Sequence, residues 1–299
     1  MNILLGVDGS RYTLAATRMI CDCLAQPGRH VDVLHVLPLS VREASSAPRH
    51  EPETVRVPPV TRALLDRVER RLRSRGFSVT CHVRRGEPAR VLPEMAGRGR
   101  FELVVLGAKG RADNPYLPTG SVALAVLERH ISASVLLVRE REAKREKALT
   151  ARKRLFPVLF PVDGSASIEE VAERFYRLFH VPALQPTVVA VAEPPQGGVL
   201  AQLQAQDRRG LLGRIQAAAR AWAKEAKPLL TRPGVRPQIR IVQGPAVKAL
   251  IDEARRDAAQ VVVLGSRGVR SPSGPPLGSV ALQVARYAPC SVLLVRDLR

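Results

Sequence analysis

Aromatic side chains make up 4% of the 299 residues, with a single tryptophan. That is too few for a platform on which successive bases could stack, and no zinc-finger or RNA-binding signature is present. Cysteine is equally scarce. Of the four, Cys21 and Cys23 are two apart on a predicted helix, so their side chains diverge and form neither a metal pair nor a redox C-x-x-C. Cys81 and Cys290 lie beside predicted strands, and all four read as small buried apolar residues in a reducing compartment. The six histidines show no H-E-x-x-H or other ligand spacing, so no metal site is expected. No apolar run approaches the roughly 20 residues that cross a bilayer. The stretch MNILLGVDGS has no basic leader and its apolar run stops at Asp8, which reads as a cytoplasmic protein without a secretion signal.

Charge of one sign is in excess. The formal net charge is +20, and surplus Lys and Arg attract phosphate, nucleic acid or anionic membrane. The excess is spread along the chain, mainly as arginines on polar helix faces such as TRALLDRVERRLRSRG, and such runs read as solvated faces. Electrostatic nucleic-acid binding is retained as one reading, with steep loss in salt as its signature. Sequence-specific recognition is not expected.

The length suits about two domains, each long enough to bury a core. The chain in fact repeats itself. ILLGVDGS (3–10) returns as VLFPVDGS (158–165), and RRGEPARVL (84–92) aligns with VQGPAVKAL (242–250). SVLLVR (134–139) recurs unchanged at 291–296. Offsets stay between 155 and 158 over a whole half, which means a duplicated domain and not a solenoid. AKREKALTARKR (143–154) carries six basic residues, one acidic and no apolar period, so it reads as an exposed linker between domains 1–142 and 155–299.

Within one half, NILLGV ends in the turn residues DGS and reads as a buried strand, with Ser10 as a helix N-cap. Tyr12, Ala15, Ala16, Met19 and Cys23 fall on one helical face. The strand VDVLHVL precedes a Pro- and Ser-rich loop, 38–60, and Leu64, Leu65, Val68 and Leu72 form a second helical stripe. Strand SVTCHV, helix PARVLPEMA, strand ELVVL, a glycine loop, helix SVALAVLERH and strand VLLV complete the half. Solidly apolar strands alternating with helices predict an α/β fold, a parallel sheet covered on both faces.

The glycine loop reads LGAKGRADNPYLPTGS in the first half and LGSRGVRSPSGPPLGS in the second. Each leaves a strand end and enters a helix, the position where open parallel sheets bind ligands. Gly107 and Gly110 allow close backbone approach, and Gly120–Ser121 offers free N–H groups to an anion at a helix start. The pattern is neither the P-loop nor the dinucleotide fingerprint G-x-G-x-x-G, both absent. It is G-x2-G-x9-G-S, filled in both halves.

With an aspartate closing the first strand, this pattern closely resembles that of the universal stress protein family, over nearly the whole chain. The resemblance implies two tandem Rossmann-like domains, each a five-stranded parallel sheet with helices on both faces, packed as an intramolecular pseudo-dimer. It implies ATP, with or without Mg2+, as the ligand. Asp8 and Asp163 would contact the ribose, and the backbones of Val36 and Val191 the adenine edge. Gly107, Gly110, Gly120, Ser121 and Val122 would cradle phosphates in the first half, and Gly265, Gly268, Gly278, Ser279 and Val280 in the second. The first loop departs from the family pattern at Asp113, Pro115 and Pro118, with Lys109 and Arg111 able to offset the acid. The second carries Pro272, Pro275 and Pro276 beside Arg267 and Arg270. With no catalytic base, metal cluster or Ser-His-Asp set, the expected function is a non-catalytic ATP-binding regulator of the stress response, with slow hydrolysis at most. A nucleotide-independent adaptor for a protein partner is the alternative. A homodimer of the two-domain chain is the assembly foreseen, with no membrane association.

Overall fold

The computed structural model describes residues 1–39, 56–99, 101–111, 118–140, 155–165, 167–195, 204–266 and 277–296. The chain divides into two compact units after Glu140. The proposed linker 143–154 lies outside the described residues.

The first unit begins with β1 (Asn2–Val7), whose apolar residues are buried on both sides, as a central parallel strand requires. Ser10 caps α1 (Arg11–Cys23) by accepting from Thr13 N, and β2 (His30–Leu37) follows. Pro59 opens α2 (Pro59–Arg73) in the first turn, where a missing N–H costs nothing. Then come β3 (Ser78–Arg85), α3 (Pro88–Arg98), β4 (Leu103–Gly107), α4 (Ser121–Leu127) and β5 (Ser134–Val138). All strand pairs are parallel, in the order β3-β2-β1-β4-β5. The path runs outward from β1 to β3, then crosses back to β4, so right-handed connections place α1 and α2 on one face and α3 and α4 on the other. The helices pack together in those pairs.

The second unit repeats this plan with β6 (Phe156–Val162), α5 (Ser167–Leu178), β7 (Leu184–Ala192), α6 (Ala205–Leu230), β8 (Gln238–Gln243), α7 (Ala246–Arg256), β9 (Val261–Gly265), α8 (Ser279–Tyr287) and β10 (Ser291–Val295). Its parallel order is β8-β7-β6-β9-β10. Pro157 and Pro161 sit in the central strand β6 without ladder N–H groups, and the ladder from β6 to β9 is two pairs, Val158 to Val261 and Leu159 to Val262. The core here is aromatic: Phe175 meets Phe160 edge-on at 5.1 Å and stacks on Phe179 at 4.8 Å. Among the described residues, no helix is long and apolar enough to cross a membrane.

None of the four cysteines is in a disulfide; Cys21, Cys23 and Cys290 are buried as expected, but Cys81 is only half-buried. It lies on β3, which among the described residues pairs with β2 alone. Burial, then Glu69 and Asp66, push its thiol up to about 11, and burial pushes Cys23 up to about 12. Since the thiolate is the nucleophile, Cys81 should alkylate far more slowly than free cysteine at pH 8 and accelerate as pH rises toward 11. Timed iodoacetamide labelling with peptide mass mapping reads this; ordinary reactivity at pH 8 would contradict it.

Candidate functional site

The carboxyl end of β1 is knotted by side chains. Asp8 Oδ1 accepts from Ser10 N at 2.9 Å and from Thr13 Oγ1 at 2.8 Å. Thr13 Oγ1 in turn accepts from Asp8 N and Gly9 N, at 3.0 and 3.2 Å. Gly9 takes φ +78°, a left-handed value that a side chain would strain. The other carboxylate oxygen, Asp8 Oδ2, accepts from Arg111 N at 2.9 Å. Asp8 therefore ties the turn after β1 to the glycine loop after β4, across 103 residues of sequence.

That loop is pinned at its base. Ala108 N donates to Val138 O at 2.8 Å, and Gly120 N donates to Ala108 O at 2.7 Å. Arg139, directly after β5, donates to Pro118 O and to Thr119 Oγ1, the latter at 2.9 Å. Gly107 is needed because the chain passes so close: a Cβ there would lie 2.5 Å from Tyr12 Cβ and 3.1 Å from Lys109 O. Neither neighbour is the free end of a side chain, so α1 would have to move. Gly107→Ala should cost about 1–3 kcal/mol, seen as a lowered urea midpoint for the first unit; an unchanged midpoint would mean that α1 yields freely.

Between the two turns opens a cleft of about 410 Å³, lined by Gly9, Ser10, Arg11, Tyr12, Lys109, Gly110 and Arg111. It stands where β1 and β4 run side by side and the connections leave in opposite directions. Val36 is at the same level: Val7 pairs with His35, so the next residues, Asp8 and Val36, stand abreast. Gly120 is the N-cap of α4, followed by Ser121 and Val122. The structure thus brings Asp8, Gly107 and Gly110 to one sheet edge, with Val36 beside them and the start of α4 at the far end of the loop.

The second unit repeats the scaffold. Ser266 N donates to Val295 O and Gly278 N to Ser266 O, both at 2.8 Å. Val162 pairs with Ala190, so Asp163 and Val191 again stand abreast. Gly278 caps α8, which starts Ser279–Val280. Asp163 Oδ1 accepts from Ser165 N at 3.0 Å, but the position corresponding to Thr13 is Ile168, which has no hydroxyl. Gly265 ends β9. Gly268, Arg267, Arg270 and the three prolines lie outside the described residues, as do Asp113 and Pro115 of the first loop.

Two contributors escape a reading by motif. Thr13 looks like any helix residue, and Arg139 is visible only as the last letter of SVLLVR. Its recurrence as Arg296, which is buried to 4% exposure, is the signal that could have singled it out. Among the described residues no three His, Cys, Asp or Glu side chains are grouped to hold a metal ion.

The sequence pattern of the universal stress protein family matches residues 1–139 and again 156–296. A universal stress protein of Mycolicibacterium smegmatis is 24% identical over 304 residues, spanning 98% of this chain and 96% of that one. In three dimensions the chain is similar to a crystal structure from Pseudomonas aeruginosa UCBPP-PA14 assigned to the same family, with a TM-score of 0.62 and 16% identity over 99% of this chain and 93% of the other. A universal stress protein from Archaeoglobus fulgidus gives 0.58 and 16%, over 99% and 96% of the two chains. At such identities the structural likeness concerns the fold.

Proposed function

The chain belongs to the universal stress protein family, and we propose that within it this protein is a non-catalytic regulator that holds ATP at the strand-end turns of its units. The observation that carries the reading is the first unit's cleft. Its volume of about 410 Å³ falls within the roughly 300–1,000 Å³ of small-molecule sites, and it sits at the topological switch point. Its walls are the backbones of two glycine-bearing turns, and Lys109 and Arg111 bring two cations to a ligand rich in negative charge. In this reading Asp8 and Asp163 face the ribose, Val36 and Val191 the adenine edge, and the glycine loops the phosphates. Mg2+ would travel with the phosphates, whose charge it neutralises. Among the described residues the cleft's ionisable lining is Arg11, Tyr12, Lys109 and Arg111, groups suited to holding an anionic ligand.

One observation favours a second reading, a protein adaptor that needs no nucleotide: both oxygens of Asp8 already serve the protein itself. Mass spectrometry of the purified full chain, with calorimetry of added ATP, separates the two. Copurified adenine nucleotide or saturable ATP binding is expected. Neither, at millimolar ATP, would leave the adaptor.

A further inference from the structure

The two units differ above the turn that follows their first strand. Gly9 and Gly164 are the central residues of the two Asp-Gly-Ser turns, at φ +78° and +81°. Over Gly9 lies Leu64 of α2, whose Cδ2 would be 3.4 Å from a Cβ built there. Over Gly164 lies Trp222 of α6, the one tryptophan of the chain. A Cβ on Gly164 would overlap the five-membered edge of that indole, with Cε2 at 2.6 Å and Cδ1 at 2.7 Å. Leu64 and Trp222 are 158 residues apart, the offset that also relates the glycine loops. They are therefore equivalent positions, filled by an aliphatic side chain in one unit and by the largest aromatic in the other.

The indole is no plain core residue. It is half-buried, and its Nε1 makes no hydrogen bond among the described residues. The helix that carries it packs on β7, the strand that ends at Val191–Ala192 beside Asp163. Trp222 therefore lies over the Asp163 turn, on the helix that packs on the neighbouring strand. Ile168 stands where the first unit has Thr13. A purine is the part of a nucleotide that an aromatic surface holds, by stacking on an indole face.

We propose that Trp222 is the wall on which the purine ring of a nucleotide bound to the second unit stacks. This rests on the nucleotide reading of the site and adds what distinguishes the two units: the first holds its ligand mainly through charge and hydrogen bonds, the second through an aromatic face. The second unit then tolerates loss of terminal phosphates better than the first does.

The full chain contains its own reporter. ATP and adenosine are titrated while the emission of the sole tryptophan is followed, and ATP binding is measured by calorimetry in wild type, W222F and W222L. Each variant is also made with Gly120→Val, to weaken the first unit and isolate the second. W222L installs the residue the first unit already uses, W222F keeps a ring, and circular dichroism checks that both fold. The expected result is saturable quenching in wild type by both ligands, about tenfold weaker second-unit binding in W222L, and most of the affinity retained in W222F. ATP binding to the second unit without any change in emission, or W222L binding as tightly or more tightly, would make the indole a mere cover and overturn the proposal, leaving the nucleotide reading intact. Binding confined to the first unit overturns it as well. No ATP heat from either unit removes the nucleotide reading and the stacking wall together.

Discussion

Gly120→Val should weaken ATP binding to the first unit by about ten- to hundredfold, and Gly278→Val should do the same to the second. Both residues have extended backbone, φ −78° and ψ 160° at Gly120, φ −65° and ψ 152° at Gly278. Any amino acid adopts these angles, so the substitution stores no backbone strain. Both also donate their N–H into the base of the loop, to Ala108 O and Ser266 O, and valine keeps that donor. Exchanging glycine for a poorer helix N-cap costs about 1 kcal/mol or less. What valine adds is a branched Cβ at the point where the proposed phosphates meet the start of the helix, and the ligand must back away from the backbone donors to avoid it. Calorimetry of the two single variants and the double variant reads the effect. Each single variant should lose one unit's binding, and the double variant both. Equal ATP affinity in all of them would place the pocket elsewhere or remove it.

The scaffold of the candidate site is legible in the sequence because it is written locally. The strands NILLGV, ELVVL and SVLLV are continuous apolar runs, as strands buried on both faces must be, and each ends in a glycine, aspartate or arginine where the chain leaves the sheet. Duplication then doubles the evidence, since a turn motif that returns at a near-constant offset is seldom accidental. The parts that were hidden are those fixed by contacts between distant segments. Apolar spacing on the first helix predicts a stripe of Tyr12, Ala15, Ala16, Met19 and Cys23, yet Tyr12 and Met19 are half-buried while Thr13 and Thr17 are buried. Apolar periodicity overlooks these threonines because their hydroxyls are satisfied locally, Thr13 by the Asp8 turn and Thr17 by Thr13 O at 2.8 Å. Trp222 has no place in any sequence motif, because a side chain 58 residues after Gly164 acquires its meaning only once α6 lies across β7.

Asp8→Ala should lower the stability of the first unit by about 2–3 kcal/mol, since Ser10 N, Thr13 Oγ1 and Arg111 N all lose their acceptor at once. Asp8→Asn should cost about half as much. Its carbonyl oxygen can serve either the turn or the loop, but its amide then points a donor at the donor on the other side. Serving the turn satisfies two donors and serving the loop only one, so the asparagine oxygen is expected to face Ser10 and Thr13 and to leave Arg111 N unpaired. The Arg111 amide thus becomes the reporter. Hydrogen exchange should find it protected in the wild type and fast in both variants, while the Ala108 and Gly120 amides, held by Val138 O and Ala108 O, stay slow. ATP affinity of the first unit should fall in both variants, further in alanine, because the loop that carries Lys109 and Arg111 is no longer anchored to the turn that faces it. If Arg111 remains protected in Asp8→Ala, the bond from Asp8 does not hold the loop. If ATP binding survives that variant unchanged, the carboxylate neither contacts the ribose nor positions the loop, and the first unit's site must be drawn without it.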